Sequence, residues 1–91
     1  MTVKEILIAA RKLIEKGWRQ GSYQRDDKFC MMDAIYTIVK KVNDTELCKK
    51  ALRDAIDIPL STGLVHWNDA PGRTQAEVLA AFDKAIAVQG S

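Results

Sequence analysis

The sequence predicts an all-α fold: a compact four-helix domain with two long ordered loops anchored by Trp18 and Trp67. Three observations lead there. Apolar residues recur at the 3.6-residue helical period in four separate stretches. Two of those stretches open on a capping box, Thr2-Val3-Lys4-Glu5 and Thr74-Gln75-Ala76-Glu77. No stretch sustains the period-two alternation of a half-buried strand.

In the first helix, Val3, Ile6, Leu7, Ala10, Leu13 and Ile14 share one face, and Gly17 is a natural stop. Ile8 points away from that face, an apolar residue its own core stripe does not explain. Residues 17–28 form a polar connection containing Gly21, Ser22, Asp26 and Asp27, with Asp26 or Asp27 as the cap of a second helix at 28–42. Met31, Ile35, Ile38, Val39 and Val42 make its main face, and Cys30, Ala34 and Thr37 a second stripe of small residues. A helix with two such faces is expected at the centre of the fold, its small stripe covered by an aromatic loop residue. Asn43-Asp44-Thr45 is read as a break that caps a third helix at about 45–56, with Leu47, Cys48, Ala51, Leu52 and Ala55 facing inward, which Asp57-Ile58-Pro59 ends. Residues 58–72 are the second long loop, with Leu64-Val65-His66-Trp67 extended. The last helix follows Thr74 and turns Val78, Leu79, Phe82, Ala85 and Ile86 inward.

Ninety-one residues, 47% apolar and 29% charged, make one globular domain over 1–91, and the final Gly90-Ser91 reads as a cloning scar. So small a core leaves little room for a large pocket and a catalytic apparatus together. Net charge is +2, too low to imply a nucleic-acid partner, although residues 1–28 hold seven bases against four acids. The charges within the first helix rule out a secretory segment or a membrane span, so a cytoplasmic protein is expected. Cys30 and Cys48 lack metal-ligand spacing and read as reduced thiols.

The segment Trp67-Asn68-Asp69-Ala70-Pro71-Gly72-Arg73 carries the most local specification. Ala70-Pro71-Gly72-Arg73 suits a type II turn, with glycine where a positive φ is required. Asn68 and Asp69 are expected to bond nearby amides, and Arg73 to pair with Asp69. Trp67 then either plugs a helix groove or joins Asp69 and Arg73 in a recognition surface. Gly17-Trp18-Arg19-Gln20-Gly21 is a second constellation, a tight helix exit that tucks Trp18 against the bundle. It lacks the strand-loop-lysine arrangement of a phosphate cradle. Arg19, Tyr23 and Arg25 interleave basic and aromatic groups only sparsely.

Catalytic chemistry is the least favoured class. His66 is the lone histidine, with Asp69 its nearest acid, and Ser61 and Thr62 lack a nucleophile elbow. One histidine and two distant cysteines do not make a metal set, and no cofactor motif is present. A helix-turn-helix reading would use Lys49, Lys50 and Arg53, but Asp44, Glu46, Asp54 and Asp57 stand among them, where phosphates would lie.

The opening helix ending in Gly17-Trp18-x-Gln20-Gly21, the Cys30-x-x-x-Ala34-Ile35 helix, the Trp67-Asn68-Asp69-x-Pro71-Gly72-Arg73-Thr74-x-x-Glu77-Val78 segment and Phe82-Asp83-x-Ala85-Ile86 together resemble a family of small proteins of unknown function from bacteria and phages. The resemblance spans nearly the whole chain. It implies a prokaryotic or phage cytosolic setting and carries no activity with it. Such proteins often have a small residue where this chain has Asp33, which implies different packing around the second helix.

The function expected is therefore that of a non-enzymatic interaction protein, a phage or prophage accessory factor that modulates a host process. Its partner is a protein, met through Trp67, Asp69, Arg73, Trp18, Arg19 and Ile8, with self-association through the first helix compatible. The alternatives are a nucleic-acid-binding regulator using Lys49, Lys50 and Arg53, and a small-ligand domain with a pocket between Trp18, Trp67 and Arg73.

Overall fold

The computed structural model describes residues 1–21, 27–58 and 62–89. Ser22, Tyr23, Arg25, Asp26, Pro59, Ser61, Gly90 and Ser91, which figure in the expectations above, lie outside the described residues. Among those described, the chain forms five helices: α1 (Val3–Lys16), α2 (Met31–Ile38), α3 (Val42–Ile56), α4 (Leu64–Asn68) and α5 (Gln75–Val88). The all-α expectation holds, with one short helix more than the sequence predicts.

Helix α1 starts on its capping box: Glu5 N–H donates to Thr2 Oγ1 at 3.1 Å, and Thr2 N–H to Glu5 Oε1 at 2.7 Å. Its stripe of Ile6, Leu7, Ala10 and Ile14 is wholly buried. Gly17 ends it for reasons of space, since a Cβ there would stand 2.2 Å from the Asp27 carbonyl oxygen. That close approach lets Phe29 N–H donate to Gly17 O at 2.9 Å and Arg19 N–H to Phe29 O at 3.3 Å.

Helix α2 is shorter than the 28–42 expected. Cys30, not Asp27, caps it, its Sγ accepting from Asp33 N–H at 3.4 Å. It stops at Val39, which is extended at φ −132° and ψ 146° beside the equally β-branched Ile38. Helix α3 then begins at Val42 and runs straight through Asn43-Asp44-Thr45; its core face is Thr45, Cys48, Leu52 and Ala55, so Val42 and Leu47, both expected inward, stand exposed. Those polar residues fill a first turn, where Asp44 suits the helix dipole and the buried Thr45 hydroxyl bonds back to Lys41 O at 3.0 Å. At its far end Asp57 takes the left-handed conformation, φ 53° and ψ 50°, a place usually held by glycine.

Residues 64–68 are helical, not extended. Leu64 enters the core at the start of α4, and Asp69 N–H closes the turn on Val65 O at 2.9 Å. The type II turn is present: Arg73 N–H donates to Ala70 O at 3.0 Å, with Gly72 at φ +82°. It delivers the chain to the second capping box and α5.

Phe82, Ile6, Leu7, Ile14, Met31, Ile35 and Leu52 fill the interior. Helix α1 packs most extensively, on α2 and α5, and also meets α3; α2, expected at the centre, meets α1, α3 and α4, while α3 touches all four other helices. Two polar ties hold α1 to α5. Arg11 clamps Asp83 through contacts of 2.5 and 3.2 Å, and Gln75 Nε2 donates to Ile14 O at 2.7 Å in the last turn of α1. No helix among the described residues is long and apolar enough to cross a membrane.

Candidate functional site

The two constellations singled out in the sequence meet in space, and Asn68 joins them. Its side chain is fully buried at the end of α4. Oδ1 accepts from the Trp18 indole N–H at 2.8 Å and from Met31 N–H at 3.3 Å. Nδ2 donates to Arg19 O at 3.1 Å and to Asp69 Oδ1 at 2.9 Å. A primary amide offers two acceptor and two donor positions, and here all four are used. No other side-chain type of this size supplies both halves.

The surrounding residues complete the seam. Gln20 Nε2 donates to Asn68 O at 3.1 Å and Ala70 O at 2.9 Å, and Gly21 N–H donates to Asp69 Oδ1 at 3.0 Å. Arg19, whose side chain is only 9% exposed, pairs with Asp33 and donates to Gly21 O. Thus Asp33 receives a largely buried guanidinium. One atom of that group, Nε, is buried without a hydrogen-bond partner.

Arg73 does not pair with Asp69 as expected, because Asp69 is committed to Gly21 and Asn68. Its Nε donates to Trp67 O at 2.9 Å, a terminal nitrogen reaches Glu77 at 3.1 Å, and its guanidinium lies 3.8 Å over the Trp67 ring. The backbone N–H of Thr74, with help from Arg73, holds the Glu77 carboxyl below the ordinary glutamate range. Trp67 is half-buried and packs against the core edge, as a loop anchor is expected to.

Beside that ring opens a cleft of about 340 Å³. Ala55 and Ile56 from the end of α3, Ala80 and Ala81 from α5, and Trp67 supply its apolar lining; Asp57, Glu77 and Lys84 supply its charge. Trp18 does not line it; its indole N–H is turned to Asn68 instead.

The remaining candidates are scattered. Ile8 is half-buried and outside the packed core, less prominent than its position off the helix stripe suggested. Lys49 pairs with Glu46 and Lys50 with Asp54, both at 3.4 Å, while Arg53 is half-buried with its Nε unpartnered. His66 is exposed. Cys30 and Cys48 are free and buried; burial raises both thiols above the usual range, Cys48 to about 11 with help from Asp44. Among the described residues no three His, Cys, Asp or Glu side chains are placed to hold a metal.

Sequence reasoning missed Asn68, Gln20, Asp33 and Gln75 as long-range partners. Their one available signal was amides and a carboxylate among glycines and aromatics, which also suits local turn bonding.

A family model described as a family of unknown function (DUF6197) matches residues 1–88. That agrees with the unknown-function family the motifs resemble. No curated protein and no solved structure matches the chain.

Proposed function

The chain belongs to DUF6197, a family of unknown function, and from that premise we propose that it is a non-enzymatic interaction module that seats an apolar side chain of a protein partner beside Trp67. One observation carries the reading: an open cleft floored by Ala55, Ile56, Ala80 and Ala81 and rimmed by Asp57, Glu77 and Lys84 lies against an indole whose orientation Arg73 holds. Rigid aromatic surface next to a shallow apolar recess is what interaction hot spots use, since little side-chain entropy is lost on binding. By contrast, Trp18, Arg19 and Asp69 spend their polar groups within the fold and act as support for that surface. In the bacterial or phage setting that the motifs suggest, such a module serves as an accessory factor acting on a host protein.

Ala80 is exposed on α5 and lines the cleft, so Ala80→Arg fills the recess at a helix-compatible position. Affinity capture from the encoding organism's lysate is expected to yield a partner with the unmodified chain and to lose it with Ala80→Arg at unchanged thermal midpoint. No partner, or equal capture by both, overturns the reading. The intrahelical pairing of Lys49 and Lys50 weighs against the nucleic-acid alternative. Salt-sensitive binding to DNA or RNA at low ionic strength would revive it.

A further inference from the structure

The outward face of α3 suggests a second surface, separate from the Trp67 cleft. Its core face is Thr45, Cys48, Leu52 and Ala55, so Asn43, Glu46, Leu47, Lys50 and Asp54 point the other way. Two apolar side chains stand open on this helix, Val42 at 72% exposure and Leu47 at 51%. Grooves lie on both flanks of Leu47, one shared with Arg53 and the other reaching Val3 and Gln89. A half-exposed leucine between two grooves is a knob with room for a facing helix on either side.

The charges say which helix fits. The face carries both signs in comparable number, so it has no preference for a strongly acidic or strongly basic partner. Its order along the chain is self-complementary. When two copies of α3 lie antiparallel, related by a twofold at the level of Cys48, Glu46 of each comes opposite Lys50 of the other. In the same register Asn43 meets Arg53, and the two Leu47 side chains meet near the axis. Sliding the axis to Lys50 would set lysine on lysine and Glu46 on Asp54, which repel. The present partners of these side chains are weak and exchangeable: Lys49–Glu46 and Lys50–Asp54 are 3.4 Å surface contacts within one helix. Arg53 lines the groove beside Leu47 that Asn43 also borders. We propose that the chain self-associates as an antiparallel twofold dimer through α3, with Leu47 at its centre and Glu46–Lys50 pairs across it.

One helix–helix contact covers less than the roughly 800 Å² per partner of a standard stable interface, so the dimer is a weak one. Sedimentation equilibrium from about 10 μM to 1 mM, the range of weak association constants, reads it directly. The mean mass is expected to climb from one chain toward two. Leu47→Asp, at an exposed position, is expected to hold it at one chain with an unchanged circular dichroism spectrum. Glu46→Lys and Lys50→Glu are each expected to weaken association by about tenfold, because each sets like charges opposite one another. The chain carrying both reversals is expected to recover it. A one-chain mass at every concentration, a dimer indifferent to Leu47→Asp, or a doubly reversed chain no better than the single ones overturns the proposal. Ala80→Arg lies outside this face, so the cleft and the dimer stand or fall separately.

Discussion

Replacing Asn68 with alanine should cost more than any surface change of comparable size, and the cost can be assembled from its contacts. The amide is wholly buried and makes four hydrogen bonds, to Trp18, Met31, Arg19 and Asp69. The bond from Met31 N–H lies in the buried interior, where an orphaned donor costs about 1–3 kcal/mol. The Trp18 indole N–H and Arg19 carbonyl are partly accessible and recover water, adding about 1 kcal/mol between them. The small cavity left behind brings the sum to about 3–4 kcal/mol. A 91-residue domain has a total stability of about 5–14 kcal/mol, so the variant survives with a thermal midpoint lower by about 15–30 °C. Urea unfolding should be followed by both circular dichroism and tryptophan fluorescence. Because Trp18 and Trp67 sit on either side of the seam, fluorescence is expected to shift at lower urea than helicity. Asn68→Asp keeps the volume and an acceptor but loses both donors and faces the Asp69 carboxylate, so its loss should shrink at low pH as the carboxyl gains a proton. A loss below about 1 kcal/mol for Asn68→Ala, with the two probes coincident, would refute the reasoning.

Four further outcomes follow from the same geometry. Trp67→Ala truncates a half-buried ring and should cost about 2 kcal/mol in the urea midpoint, below the 3–5 kcal/mol of a fully buried aromatic. Asp57→Gly relieves a left-handed residue at the end of α3 and should stabilise by about 0.5–1 kcal/mol; a fall in midpoint would show that the aspartate side chain is needed there. The Cys48 thiol is raised from 9.0 to about 11 in the folded chain, so the neutral form is the one the fold favours. Stability from this site is complete below pH 9 and is lost as pH rises toward 11, a loss that Cys48→Ala should lessen in alkaline melts. The same burial makes both cysteines slow toward a thiol reagent at pH 8 until urea is added.

The chain alone determined the helical class, both capping boxes, the type II turn and the inward faces of α1 and α5, while on α3 it turned Leu47 inward where the fold leaves it half-exposed. Each of these is a local rule: a side chain answers a backbone group three residues away, or an apolar residue recurs every turn. The same local rules misplaced the second and third helices. Asn43-Asp44-Thr45 suits a cap and a first helical turn almost equally, and only docking of Thr45 and Cys48 into the core chooses between them. Tertiary structure alone decided that Asn68, not the adjacent tryptophan, is the fully buried residue of its loop. An asparagine looks identical in sequence whether it bonds its own turn or a loop 50 residues away. What separates the two cases is whether water is excluded, and that depends on how α1, α2 and α4 come together.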